Sequence, residues 1–120
     1  MASTPVVAFL SACGFAARTP TADQLLVDSI IYEKNAILAN LADVPIVASQ
    51  QQEHIDALLP FSSNQPMATP TALPSNNYST SLADLSTQIT SRALSATDHE
   101  LSRLLLLIAA SDAVHAQVTA

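Results

Sequence analysis

Apolar residues recur at helical spacing along most of the chain, and the first clear series follows a helix start signal. Thr21 and Gln24 have the spacing of a capping box, although Thr19 as the cap would place Pro20 at the first helical position. The series makes a wide apolar face over about five turns. Part of it has the four- and three-residue spacing of a heptad repeat when Lys34 is counted, but for only two repeats. Its apolar members are Leu26, Val27, Ile30, Ile31, Ile37, Leu38 and Leu41. Asp43-Val44-Pro45 ends the predicted helix, because a residue before proline avoids the α conformation.

A second, shorter helix is predicted directly afterwards. Ser49 and Gln52 repeat the capping-box spacing. Ile55, Leu58 and Leu59 lie on one side, and Pro60 is expected to end the helix.

The C-terminal part carries the most apolar segment of the chain. Ser81 and Asp84 frame one predicted helix start, and Thr97 and Glu100 form a capping box before another. Inner positions of the first segment are Leu82, Leu85 and Ile89, and those of the second are Leu101, Leu104, Leu105, Ile108 and then Val114 or His115. Leu106 and Leu107 widen the second stripe. No proline or glycine separates the segments, so two helices or one long helix both fit.

Residues Val6 to Ala17 are apolar and small, and we interpret the first seventeen residues as a further helix. Thr4 would be its N-cap and Pro5 its first residue. A signal peptide is the alternative, and Leu10-Ser11-Ala12-Cys13 resembles a lipoprotein attachment box. No lysine or arginine precedes that segment, which favours the helix.

Four prolines between positions 60 and 74, followed by a Ser/Asn-rich run, divide the chain. Proline lacks an N–H donor and clashes with the preceding helical turn, so this stretch cannot be a helix interior. We predict one domain over 1–120, with an N-terminal helical part at 1–59, a linker at 60–80 and a C-terminal helical part at 81–120. The predicted fold is an all-α bundle of four or five helices, with the linker acting as a long tether.

Composition points to a protein partner for this bundle. The chain has 120 residues, of which 49% are hydrophobic and only 12% are charged, about half the charged fraction of an average soluble domain. So little polar surface predicts that a helix face is buried against another chain. The net charge is −6 with four scattered cations, which argues against direct nucleic-acid binding. The longest apolar run, Leu104–Ala110, is far shorter than a membrane span, so none is expected.

Candidate catalytic patterns in the chain are incomplete. His99-Glu100 begins like a zinc-protease motif, but Arg103 stands where the second histidine is needed. Asp112 and His115 share a helix face and could start a metal site, but two ligands do not complete one. Cys13 is the single cysteine, which excludes an internal disulfide and fits an intracellular location, and Gly14 is the single glycine, which argues against phosphate-binding loops. We expect no enzyme activity, no cofactor and no metal.

The sequence therefore predicts a non-enzymatic structural or assembly protein that acts by helix–helix contact. Its partner would be a second copy in a homo-oligomer or a helical partner subunit. A helical carrier of a small apolar ligand is the alternative, which an apolar cavity inside one chain would favour over an apolar face outside it. The predicted core or interface residues are Ile30, Ile37, Leu41, Leu101, Leu104, Leu105 and Ile108.

Overall fold

The computed structural model describes residues 19–41, 43–66 and 78–119. These residues form four α-helices and contain no strand, which confirms the all-α prediction. The helices are α1 (Ala22–Leu38), α2 (Pro45–Leu58), α3 (Tyr78–Ser95) and α4 (His99–Val118), and a 3₁₀ turn (Leu59–Phe61) follows α2. The predicted N-terminal helix, and residues 67–77 of the predicted linker, lie outside the described residues.

The start of α1 confirms the predicted capping box. Thr21 Oγ1 accepts a hydrogen bond from the backbone N–H of Gln24 at 3.1 Å, and Gln24 Oε1 accepts one from the backbone N–H of Thr21 at 2.8 Å. Two N–H groups that have no partner within the helix are thereby satisfied.

The start predicted for α2 was wrong, whereas its end was predicted correctly. The helix begins at Pro45, with Val44 as an N-cap that makes no side-chain hydrogen bond, so the Ser49/Gln52 box is not used. Proline suits the first helical position because its missing N–H would have no partner there. At the other end, α2 stops at Leu58, just before Pro60, and a 3₁₀ turn that contains Pro60 follows it.

Two predictions about the C-terminal helices also need correction. The first of them, α3, begins at Tyr78, three residues before the predicted Ser81. Asp98, not Thr97, caps α4, because Asp98 Oδ1 accepts from the backbone N–H groups of Glu100 and Leu101 at 2.8 and 3.3 Å. This cap breaks the chain into two helices rather than one.

Serine side chains join α3 and α4 at regular intervals. Three serine hydroxyls each donate to a backbone carbonyl of the other helix at 2.7 Å: Ser79 to Ala116, Ser86 to Ala109 and Ser102 to Ala93. Positions advance by seven on one helix as they fall by seven on the other, so the helices are antiparallel. Only small side chains allow the two backbones to approach closely enough for these bonds.

All four helices contribute to one apolar core. Its fully buried apolar members include Val27 and Ile30 from α1, and Leu41 beyond its end. The other helices supply Val47, Ile55, Leu58, Leu82, Leu85, Ile89, Leu101, Leu105 and Ile108.

Two aspartates of α1 hold distant segments against it. Both carboxylate oxygens of Asp23 accept backbone N–H bonds, each 2.9 Å long, from Thr97 and Asp98 in the turn between α3 and α4. Asp28 accepts bonds from the backbone N–H and the hydroxyl of Ser63. The first contact fixes α1 on the hairpin, and the second fixes the start of the proline-rich segment on α1.

By length and composition, α4 could also cross a membrane, and within the described residues it is the one helix that meets this test. Core helices of soluble proteins meet it too. One stripe of α4 faces the core described above, which accounts for part of its apolar character.

Candidate functional site

Three of the helices carry polar residues in the middle of their buried stripes. In α1 the residue is Lys34, in α2 they are Gln51 and His54, and in α4 it is Asp112. Each takes a position that helical spacing assigns to the core, so the three helices together place one polar layer inside the bundle. The buried stripe of α3 has only apolar members.

Lys34 lies at the centre of this layer, which we call the polar cluster. Its ammonium group contacts both carboxylate oxygens of Asp112, at 3.0 and 2.8 Å, and Gln51 Oε1 at 2.9 Å. Gln51 closes the ring by donating from Nε2 to Asp112 Oδ1 at 2.7 Å. Lys34 and Asp112 are both fully buried, so each charge depends on the other for its compensation.

His54 completes the cluster in one of two protonation states. Its Nδ1 lies 3.0 Å from the Lys34 ammonium and 3.5 Å from Asp112 Oδ1. Unprotonated Nδ1 accepts from Lys34, whereas protonated Nδ1 donates to Asp112.

Burial and hydrogen bonding shift the pKa values of the central pair. Burial lowers the pKa of the Lys34 ammonium below 10.5, against the charge and hydrogen bonds of Asp112, which raise it. Burial alone would raise the pKa of the Asp112 carboxyl, but hydrogen bonds from His54, Lys34 and Gln51 and the charge of Lys34 outweigh that effect. They hold the pKa of the Asp112 carboxyl below 3.8. The Asp112 carboxyl is therefore ionised near neutral pH, and its charge and hydrogen bonds favour the protonated form of Lys34 against the effect of burial.

His115 lies beside the cluster on α4. Its ring stacks on that of His54, with centroids 6.2 Å apart and planes inclined by 19°. Burial lowers the pKa of His115 below 6.5, the positive charge of Lys34 acts in the same direction, and Asp112 opposes both. Among the described residues, His115 Nδ1 is the one buried side-chain nitrogen or oxygen atom without a hydrogen-bond partner.

The predicted pair of Asp112 and His115 does share a face of α4. Both carboxylate oxygens of Asp112 contact the Lys34 ammonium. Within ranges 19–41, 43–66 and 78–119, no group of three histidine, cysteine, aspartate or glutamate side chains is placed to hold a metal ion. Cys13 lies outside those ranges.

The position of the polar cluster suits fixation of helices rather than contact with a substrate. Lys34, Gln51 and Asp112 have no exposed surface, and one edge of His54 borders a groove of about 330 Å³ between α2 and α4. Buried charges that must meet one another select a single arrangement of α1, α2 and α4, since any other register would leave a charge unpaired.

A second feature lies on the opposite side of α4, where apolar side chains face solvent. Leu107 is 69% exposed, and Val114 is 61% exposed. We define the α4 face as the exposed residues of α4 from position 103 onward, which are Arg103, Leu106, Leu107, Ala110, Ala113, Val114, Gln117 and Val118. Six of these eight residues are apolar, so the patch extends over about 22 Å of helix at 1.5 Å per residue.

The interaction residues predicted from sequence lie in the core and not on this face. Ile30, Leu41, Leu101 and Leu105 have no exposed surface. Ile37 and Ile108 are also buried, whereas Leu104 is half-buried and borders the groove beside His54. The stripe that sequence reasoning selected on α4 is therefore its inner face.

Two further cavities at the described residues are surface grooves with mixed linings. One of about 290 Å³ lies between α1 and α3, where Glu33, Asp84 and Gln88 accompany apolar side chains. Another, of about 330 Å³, lies where the start of α1 meets the turn before α4, and Asp23 and Asp98 line it. Neither is the enclosed apolar cavity that a ligand carrier would need.

No protein-family model matches the chain, and comparisons with curated proteins and with solved structures found no significant match. The function is therefore inferred from the residues of this chain alone.

Proposed function

We propose that this protein is a non-enzymatic assembly protein that binds another helix through the α4 face. The observation that carries the proposal is the exposure of Leu106, Leu107, Val114 and Val118 on a helix whose other side forms the core. A face with six apolar residues and one charge is poorly hydrated, and covering it with a partner helix removes that cost.

Continuity distinguishes this face from other exposed apolar residues. Leu94 on α3 is 81% exposed and Ile46 on α2 is 77% exposed, but the exposed neighbours of Leu94 at helical spacing, Thr90 and Ser91, are polar. Isolated apolar residues are normal on a protein surface. On α4 the exposed apolar residues recur at three- and four-residue intervals, as a helix-binding face requires.

The low charged fraction of the chain supports the same proposal. With 12% charged residues, the chain has few polar side chains to place around the α4 face. Small-ligand binding remains less well supported, because the described cavities are grooves with carboxylates or amides in their walls.

The proposal is tested by sedimentation of the full chain across concentration. We expect the wild-type chain to self-associate, or to aggregate when its partner is missing. Leu107→Glu should abolish that behaviour, because burying an unpaired carboxylate in the contact costs several kcal/mol. Leu94→Glu is the matched control, since it adds the same charge at a more exposed leucine of α3.

Two results would contradict the assembly role. One is a well-folded wild-type monomer at every concentration. The other is equal loss of association in Leu94→Glu and Leu107→Glu, which would show an effect of net charge rather than of the α4 face.

Leu105→Ala, which truncates a fully buried core leucine, should cost about 2–5 kcal/mol of stability and leave the oligomeric state unchanged.

A further inference from the structure

We infer that the polar cluster and His115 form an acid-sensitive latch, which holds α2 against α4 near neutral pH and releases it when the two histidine rings become protonated. The latch goes beyond the proposed assembly role, because it concerns the inner side of α4 rather than the α4 face. The positions of His54 and His115 around the buried pair of Lys34 and Asp112 carry this inference.

The attachment of α2 to α4 depends on one carboxylate. Gln51 donates to Asp112 Oδ1 at 2.7 Å, and His54 Nδ1 lies 3.5 Å from the same oxygen. Within the described residues, no other hydrogen bond or ion pair joins these two helices. A groove of about 330 Å³ lies between them beside these contacts, so their apolar packing is incomplete there. Loss of the contacts at Asp112 therefore detaches α2 from α4.

The other helices have attachments of their own. Three serine hydroxyls join α3 to α4, and Asp23 of α1 accepts backbone N–H bonds from the turn before α4. Ser63, which lies beyond the end of α2, donates to Asp28 of α1. A released α2 would therefore stay tethered to α1, while α1, α3 and α4 remain together.

Protonation changes the contacts of His54 within the cluster. Both nitrogens of the cationic ring carry a proton, so Nδ1 can no longer accept from the Lys34 ammonium, which lies 3.0 Å away. Two cationic groups then lie side by side, and the Asp112 carboxylate has to compensate both of them.

His115 adds a second positive charge in a place with less compensation. Its Nδ1 is buried without a hydrogen-bond partner within the described residues, so the N–H that a cationic ring carries there has no acceptor. The ring also stacks on that of His54, with centroids 6.2 Å apart, so two cationic rings would repel each other. Burial, opposed by Asp112 and assisted by the charges of His54 and Lys34, lowers the pKa of His115, which agrees with this geometry.

The other charged groups around the two rings do not offset this excess of positive charge. From α1 the rings meet Lys34, which is itself a cation, and from α4 they meet Asp112, the one buried carboxylate of the cluster. Glu53 of α2 lines the same groove but is exposed, so water and salt screen its charge. The buried stripe of α3 contributes only apolar residues. Full protonation therefore sets three cations against one buried carboxylate, and release of α2 admits water to the rings.

Release of α2 would also change the surface of α4. Leu104 and Ile108 line the groove from the α4 side, together with Leu107, which belongs to the α4 face. Acid would therefore widen the apolar surface of α4 on the side that α2 covers near neutral pH.

Hydrogen exchange followed by mass spectrometry tests the latch in the full chain. Protection factors, which correct for the effect of pH on intrinsic exchange, are measured at about pH 7.5 and about pH 5 for peptides from α2 and from α3. On acidification we expect α2 to lose at least about tenfold more protection than α3, because one unit of pKa difference between closed and open forms changes the open fraction by about tenfold.

A double variant, His54→Gln with His115→Gln, cannot titrate at either ring and should remove the selective loss in α2. His99→Gln is the matched control, because His99 is exposed at the start of α4, and it should leave the loss intact. Circular dichroism checks that each variant is folded. If the double variant does not fold, the two single variants are measured instead, and each should reduce the loss.

Three results would overturn the latch. The first is unchanged protection of α2 in the wild-type chain at acid pH. The second is an equal loss in α2 and α3, which would show destabilisation of the whole fold without release of α2. The third is a selective loss that persists in the folded histidine variants, which would assign it to carboxylates such as Glu53. None of these results depends on whether the α4 face binds a partner.

Discussion

At the scale of single residues, the polar cluster is the unusual feature of this protein. A lysine and an aspartate without exposed surface are each expensive to remove from water, and the cost is offset only while the other is present. Gln51 and His54 satisfy the remaining hydrogen-bonding groups. The cluster therefore contributes more to the choice of one arrangement than to overall stability.

Lys34→Met should destabilise the protein by about 3–5 kcal/mol, because it leaves the Asp112 carboxylate buried without a counterion. Adding Asp112→Leu should recover most of this loss, since an apolar pair can fill the same space. Urea unfolding monitored by circular dichroism measures both effects.

Arg92→Met provides the control for that substitution, because it breaks the partly exposed pair of Arg92 with Glu33, whose charged groups are 3.2 Å apart. Such pairs contribute about 0.2–1 kcal/mol. A loss in Lys34→Met no larger than the loss in Arg92→Met would show that the buried pair is not what holds these helices.

At the scale of elements, small residues allow α3 and α4 to lie close together along the hairpin that they form. Ser86 donates to a carbonyl of α4 from a position where a longer side chain would push the helices apart. Ala109, which supplies that carbonyl, is buried. The two backbones therefore lie close together along this seam.

Ser86→Leu should cost about 1–3 kcal/mol, because the larger side chain overpacks the seam and removes the hydrogen bond to Ala109. Thr87→Leu, at the exposed position next to it, should change stability by less than about 0.5 kcal/mol. Thermal unfolding of the two variants measures the difference. Equal effects would mean that α3 and α4 are not packed through Ser86.

At the scale of the whole molecule, long-range polar contacts join segments that are far apart in sequence. Lys34 and Asp112 are 78 positions apart, and Asp23 reaches the turn before α4. Because the cluster connects α1, α2 and α4, a change of charge within it acts on the whole fold.

The pH dependence of stability should report this coupling. The folded protein holds the pKa of His115 below 6.5 through burial and the neighbouring positive charge of Lys34, although Asp112 opposes this. The unfolded chain therefore takes up a proton at His115 first as pH falls. Stability should be fully present well above pH 6.5, the pKa of a histidine in the unfolded chain, and should decrease as the pH falls through that value toward the lower pKa of the folded protein.

His115→Gln cannot titrate, so it should weaken this pH dependence. His99→Gln is the control, because His99 is exposed at the start of α4 and away from the cluster. Denaturant unfolding at several pH values checks both. An unchanged dependence in His115→Gln would exclude His115 as its source.

The sequence by itself determined the helical class and most of the core, because both follow from local spacing. Most apolar residues predicted on the inner sides of α1 and α4 are buried, although Leu104 is half-buried and Val114 is exposed. The α1 capping box follows from Thr21 and Gln24 alone. Lys34 inside the heptad-like series of α1, and Asp112 inside the buried stripe of α4, were signals that a polar layer was present. No local pattern could say that these two residues meet.

Only the tertiary structure decided the partners of the polar groups and which side of α4 stays exposed. Pairing of Lys34 with Asp112 depends on how the helices are arranged in space, which spacing along one helix does not specify. Boundaries such as Pro45 and Asp98 were missed because several cap residues compete within a few positions, and packing selects among them. Apolar residues lie around most of α4, so only the position of the other helices separates its core stripe from the α4 face.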